Sequence, residues 1–312
     1  IYYMENELKP NEGKKVIILG AGGTAKTAQA VAESLGAKNV ITVSRRGEVN
    51  YENLISLHGD CDYIINTTPC GMYPDTDESA VDVSLFKNLK GVTDAVYNPL
   101  KTKLCLDCEE LGIKCGCGLY MLVAQAVLAS QFFTDDIFDV KKTADEVYEE
   151  LLSEKRNIVL VGMPGSGKST IGKALSERLG KSFVDTDDLI TEEYGCISDI
   201  FKEKGEVFFR NIEAVAVKKI SLKNGLVIAT GGGAVLRKEN VDYLRHNGLV
   251  FFLDRPLEDI APTDDRPLSS DYEALKRLYE ERYGIYLSVC DEKINIDGNV
   301  MNAVNEIMER LK

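Results

Sequence analysis

The run Gly162-Met163-Pro164-Gly165-Ser166-Gly167-Lys168-Ser169 has the spacing G-x-x-x-x-G-K-S/T. Glycines there let backbone N–H groups turn inward around phosphate oxygens, an approach that side chains would block. Lys168 supplies a point charge to the terminal phosphates, and Ser169 a hydroxyl to Mg²⁺. Ser166 and Thr170 complete a candidate ATP cradle over 162–170. The apolar run Ile158-Val159-Leu160-Val161 precedes the motif and a helical pattern succeeds it, so a helix dipole starts at the phosphates. The motif alone specifies a nucleotide phosphate, not a reaction.

Residues beyond the phosphate motif point to the reaction. Asp185-Thr186-Asp187-Asp188 ends a second apolar run. One of these carboxylates can hold Mg²⁺ and another can accept a hydroxyl proton, although a helix N-cap accounts equally well for at least one of them. Arg210 and Glu213 stand at i, i+3, the spacing of a helical ion pair. Thr230-Gly231-Gly232-Gly233 permits close backbone approach to a ligand. Arg266, in the polar loop Asp265-Arg266-Pro267-Leu268, can stabilise charge on a transferred phosphoryl group. Arg282 lies in a helical stretch beyond it. The set points to transfer of the γ-phosphate of ATP onto a small hydroxylated molecule.

A second nucleotide motif lies near the start. Gly20-Ala21-Gly22-Gly23-Thr24-Ala25 fits G-x-G-x-x-G/A between a strand and a helix. The next strand ends in Ser44-Arg45-Arg46 instead of the acid that an NAD ribose prefers. Arginines there suit the 2′-phosphate of NADP(H).

These motifs need two sheets to hold them. Strands are expected at 16–19, 39–43, 63–66, 92–95 and 112–115, then at 158–161, 182–185, 226–229 and 249–253, with helices between. That is an α/β chain of two three-layer α/β/α domains: a Rossmann-type NADP-binding domain over 1–154, then a P-loop kinase domain over 155–312. The amphipathic stretch 140–154 closes the first. The 312 residues are 44 % hydrophobic and 28 % charged, and either half is large enough for its own core. The net charge of −13 repels nucleic acid. No apolar run reaches the roughly 18–20 residues of a membrane span, and no signal peptide is visible, so a cytoplasmic protein with reduced thiols is expected. Cys105, Cys108, Cys115 and Cys117 have zinc-like spacing, but the first two fall in a helical pattern where cysteine serves as a small apolar residue. No motif sets an oligomeric state.

The order GMPGSGKST, FVDTDD, FFRNIE, ATGGGA, DRPLS and ERYGIYLSVCD resembles the shikimate kinases across 156–312. The resemblance implies phosphorylation of shikimate to shikimate 3-phosphate with ATP and Mg²⁺. It implies Asp187 as base and holder of the reacting hydroxyl, and Asp185 with Ser169 on the magnesium side. Arg210, Arg282, Gly232 and Gly233 would grip shikimate, Glu213 would fix Arg210, and Arg266 would close over the phosphates. Two departures stand out. The lid at 260–265 is short, and an arginine that many members carry near the adenine has no counterpart. A kinase for another small hydroxy acid, such as a gluconate kinase, and a non-catalytic nucleotide-sensing module are the rival readings.

The first half resembles the cofactor domain of shikimate dehydrogenases through Ile65-Asn66-Thr67-Thr68-Pro69, Asp94-Ala95-Val96-Tyr97-Asn98-Pro99 and Gly118-Leu119-Tyr120-Met121-Leu122-Val123-Ala124-Gln125. This implies that Thr67, Val96, Gly118 and Met121 line the nicotinamide side, with Gln125 and Tyr97 near shikimate. Val96 and Met121 fit simple core packing as well. That family carries a substrate domain before this point. With Ile1 only about 15 residues ahead of the fingerprint strand, the expectation is a dehydrogenase–kinase fusion lacking that domain, which binds NADP(H) but reduces 3-dehydroshikimate poorly.

Overall fold

The structure is a computed structural model that describes residues 13–134, 137–260 and 272–312. The chain divides into two compact units, Ile1–Leu152 and Ser153–Lys312.

The first unit is a five-stranded parallel sheet. Its strands are β1 (Lys15–Leu19), β2 (Asn39–Val43), β3 (Tyr63–Asn66), β4 (Gly91–Asp94) and β5 (Lys114–Gly116), in the order β2-β1-β3-β4-β5. Its helices are α1 (Gly23–Ser34), α2 (Leu54–His58), α3 (Lys103–Glu110), α4 (Leu119–Thr134) and α5 (Val140–Lys155). Alternation along β1 sorts the layers. Val16 and Ile18 pack with Ala25 and Ala32 of α1, while Ile17 and Leu19 pack with Leu54, Leu104 and Cys108 on the other face. The expected strand at 112–115 begins later, at Lys114. Helix α3 ends first, with Gly112 in the left-handed region (φ 68°), and Ile113 N–H donates to Cys108 O.

The second unit is also a five-stranded parallel sheet: β6 (Asn157–Val161), β7 (Ser182–Asp185), β8 (Leu226–Ala229), β9 (Gly248–Asp254) and β10 (Glu292–Asn295), in the order β10-β9-β6-β8-β7. Its helices are α6 (Lys168–Leu179), α7 (Thr186–Tyr194), α8 (Ile197–Ser221), α9 (Lys238–Asn247), α10 (Tyr272–Val289) and α11 (Val300–Arg310). The central strand β6 is buried along its length, which is why it reads as an unbroken apolar run. Ile158 and Leu160 face Ile171 and Leu175 of α6 and Ala303, Val304 and Ile307 of α11. Val159 and Val161 face Val217, Leu244 and Tyr286. Strand β10 was not expected. Only Ile294 of its residues is buried, so it carries no apolar run, and its pairing with β9 defines it.

In each unit the C-terminal ends of the strands meet at one edge, where doubly wound sheets bind ligands. Leu19 is in register with both Val43 and Asn66, so the turns after β1, β2 and β3 are neighbours. Likewise Val161 pairs with Phe252, and Leu160 and Asp185 both pair with Ala229.

Candidate functional site

The turn after β6 carries Gly162, Gly165 and Gly167, whose φ values of 147°, 82° and 97° belong to glycine. Helix α6 starts directly at Lys168. The Lys168 ammonium is buried and donates to Gly162 O and Met163 O, each at 2.9 Å, which fixes it within its own loop. Ser169 Oγ donates to Asp185 Oδ2 at 2.6 Å. A hydroxyl beside a carboxylate is a hard-oxygen pair of the kind that holds Mg²⁺ together with substrate phosphates. Asp185 also caps α7, since its Oδ1 accepts from Asp187 N–H at 3.0 Å. The N-cap alternative therefore holds for Asp185, which leaves Asp187 in the first turn with its side chain directed into a cavity of about 530 Å³.

That cavity is lined by Lys168, Ser169, Thr170, Asp185 and Asp187 and also by Arg210, Glu213, Gly232, Gly233 and Arg282. Arg210 Nη1 donates to Glu213 Oε2 at 2.8 Å, and its Nε and Nη2 reach Glu206 at 3.3 and 3.1 Å. Its guanidinium lies flat on Gly233, where an added Cβ would strike it. Asp187 and Glu213 both lie against Gly231. A Cβ there would stand 2.6 Å from Asp187 Oδ1 and 2.8 Å from Glu213 Oε1. Glu213 is fully buried, and desolvation pushes its carboxyl above the usual range, with Arg210 offsetting only part of that. Arg282 is 5 % exposed, and its Nε has no hydrogen-bond partner among the described residues. Two buried guanidiniums thus face one cavity with one buried carboxylate between them. Ser166 differs from its neighbours: it is fully buried, its N–H donates to Met163 O at 3.1 Å, and it does not line the cavity. Arg266 and residues 261–265 of the expected lid lie outside the described residues.

In the first unit a smaller cavity of about 180 Å³ is lined by Thr24, Thr67, Gly118 and Met121, with Asp94 and Cys117. Gly20 N–H donates to Val43 O at 2.8 Å, and Thr67 Oγ1 donates to Leu19 O at 2.6 Å, closing the three turns on one another. Gly22 is the N-cap of α1 and Gly23 its first residue. Ala25 is buried against the sheet. Ser44 is half-buried, and Arg45 and Arg46 are exposed in the adjoining turn. Val96 is buried and contributes its carbonyl, which accepts from Gly118 N–H at 2.9 Å. Tyr97 and Gln125 are exposed outside the cavity. Asp94 is fully buried, and desolvation pushes its carboxyl up to about 6 against hydrogen bonds from Thr102, Val96 and Asn66. Among the described residues no group of three or more His, Cys, Asp or Glu is arranged to hold a metal ion, and no helix is long and apolar enough to cross a membrane.

A family model described as shikimate kinase matches residues 164–312. A shikimate kinase from Clostridium beijerinckii is 41 % identical over 160 residues, covering 50 % of this chain and 94 % of that protein. The chain belongs to the shikimate kinase family. Its C-terminal half is a shikimate kinase domain, a phosphotransferase. A solved shikimate kinase from Acinetobacter baumannii, in complex with shikimate, matches it at 32 % identity and a TM-score of 0.50, over 52 % of this chain and 96 % of that one. The N-terminal half matches a solved chorismate mutase/shikimate 5-dehydrogenase fusion protein from Clostridium acetobutylicum at 32 % identity and a TM-score of 0.44. That match covers 48 % of this chain and 57 % of the other.

Two further residues, not singled out from the sequence, bear on the shikimate kinase cavity. Tyr286 stacks on Phe252, with ring centroids 5.1 Å apart, and donates to Gly232 O at 2.5 Å, holding one of the glycines at the cavity wall. Its place four residues after Arg282 on a helix was the available signal. Arg255 leaves the end of β9 and lines the cavity beside the phosphate loop, with Nε lacking a partner among the described residues. A single arginine in Asp254-Arg255-Pro256 gave nothing to read.

Proposed function

We propose that the C-terminal unit transfers the γ-phosphate of ATP to a hydroxyl of shikimate. The observation that carries this reading is the shared cavity. A phosphate loop, the Asp187 carboxylate and two buried arginines all open onto one space.

The backbone N–H groups of 162–170, with Lys168, hold the ATP phosphates at the N-terminus of α6. Mg²⁺, when bound, neutralises charge on the β- and γ-phosphates, and Ser169 and Asp185 are the side chains that would hold it. Arg210 and Arg282 clamp the planar carboxylate of shikimate, because guanidinium forks match that geometry. The carboxylate adds counter-charge to the two arginines beyond that of Glu213 and Glu206, which both pair with Arg210. Gly232 and Gly233 form the backbone wall against the ring. Asp187 accepts the hydroxyl proton as the oxygen attacks phosphorus. Arg255 and Arg266 add positive charge on the phosphate side.

We infer that the N-terminal unit binds NADP(H). The fingerprint turn and α1 meet the pyrophosphate, Ser44, Arg45 and Arg46 meet the 2′-phosphate, and Thr67, Val96, Gly118 and Met121 border the nicotinamide. The cofactor would supply hydride chemistry there, with Tyr97 and Gln125 on the shikimate side.

ADP formation from ATP and Mg²⁺, with and without shikimate, tests the first reading. Shikimate-dependent release is expected. ATP binding with no response to shikimate would overturn the carboxylate clamp.

A further inference from the structure

We propose that Cys105 and Cys117 form a dithiol that closes to a disulfide when the protein meets a two-electron oxidant such as hydrogen peroxide, and that closure reshapes the cavity of the first unit. The Sγ atoms are 2.9 Å apart, so about 0.9 Å of movement reaches a covalent S–S bond of about 2.0 Å. The two thiols differ in access. Cys105 is buried in the first turn of α3, whose N-cap Thr102 accepts from its N–H. Cys117 comes just after β5, is half-buried, and borders the cavity of about 180 Å³. That space admits a molecule the size of peroxide, since water occupies about 30 Å³. Hydrogen bonds from Cys105, then Cys115, hold the Cys117 thiol well below its ordinary range against desolvation.

Cys117 is therefore the attacking sulfur and Cys105 the resolving one. The Cys117 thiolate attacks one peroxide oxygen and the O–O bond breaks. The departing hydroxide takes a proton and leaves as water, and Cys117 becomes a sulfenic acid. The Cys105 thiol then attacks that sulfur and gives up its proton. The S–O bond breaks and a second water leaves. Two thiols and one peroxide give one disulfide and two waters, with two electrons passing from sulfur to oxygen.

Cys117 directly precedes Gly118, whose N–H is bonded to Val96 O, and Met121 lies just beyond on α4. Drawing Cys117 towards α3 moves this wall. The effect on cofactor rests on the NADP(H) reading above, whereas disulfide formation does not.

The test uses the whole reduced chain, titrated with hydrogen peroxide and monitored by intact mass and fragment spectra. The expected product has lost two hydrogens, is reversed by dithiothreitol, persists in a C108S/C115S variant and disappears in C105S and in C117S. In unmodified protein, limited N-ethylmaleimide should label Cys117 before Cys105, a measurement that needs no variant to fold. A cross-link that survives in C117S, or Cys117 accumulating as sulfinic acid, overturns the proposal. NADPH affinity, read by fluorescence, should weaken about tenfold on oxidation, the loss of roughly one good contact. Equal affinity in both forms overturns the effect on the cavity. Reduced protein that does not bind NADPH overturns the cofactor reading instead, and the mass spectra still decide the disulfide.

Discussion

Replacing Glu213 with Gln separates the shape of the arginine clamp from its charge. Glu213 is fully buried and accepts from Arg210 Nη1 at 2.8 Å. Gln keeps the outline and a hydrogen bond in which only the arginine is charged. Removing the carboxylate charge takes away part of a bond that contributes about 1.5–3 kcal/mol, so Arg210 loses about 1–1.5 kcal/mol of hold. Its contacts to Glu206 at 3.3 and 3.1 Å remain. The KM for shikimate should then rise about five- to tenfold, with kcat changed less than about twofold. Stability should behave differently. Desolvation raises the Glu213 carboxyl above its ordinary 4.5, and Arg210 does not fully offset it. A group raised in the folded state contributes stability below its unfolded value and loses it as pH rises through the folded one. Gln does not titrate. The stability of the variant relative to the parent should therefore improve as pH rises from 4, below the ordinary 4.5, to 7, above it. Initial rates in a coupled ADP assay and urea unfolding at both pH values read the two effects. A variant that loses more than about 3 kcal/mol at neutral pH, as for a broken buried ion pair, would refute this reasoning. So would relative stability that falls as pH rises.

Asp187→Asn should retain ADP affinity by calorimetry and lose turnover at least about 10²-fold; retained turnover removes Asp187 as the base. Gly233→Ala places a Cβ in the Arg210 guanidinium, so the KM for shikimate should rise about tenfold or more while ADP affinity is unchanged. Loss of both would mean that the wall itself has collapsed. Arg45→Ala with Arg46→Ala should weaken NADPH about tenfold or more and leave NADH nearly unaffected. Equal loss in fluorescence titrations of both cofactors would rule out the 2′-phosphate contact.

Much of the fold could be read from local pattern, because local forces make it. A parallel strand covered on both faces needs continuous apolar residues, so Val16–Leu19 and Ile158–Val161 announced themselves. Glycines forced into the left-handed region announced the phosphate loop for the same kind of reason. Strand β10 was illegible because Glu292-Lys293-Ile294-Asn295 buries one side chain and owes its form to β9. The late start of β5 depended on where α3 ended.

The sequence by itself determined which chemical groups the chain carries and which backbone segments must be strands or phosphate turns, since propensity, periodicity and glycine sterics act over a few residues. Only the tertiary structure decided which of those groups meet. Arg210 on α8 and Arg282 on α10 come to one cavity because β6 stands between β8 and β9. Asp185 and Asp187 part company only when α7 takes the first as its cap and turns the second inward. The approach of Cys105 to Cys117 arises from packing α3 beside β5. The arginine pair above all depends on chain segments far apart in sequence, brought together by burial of a sheet whose faces have no other cover.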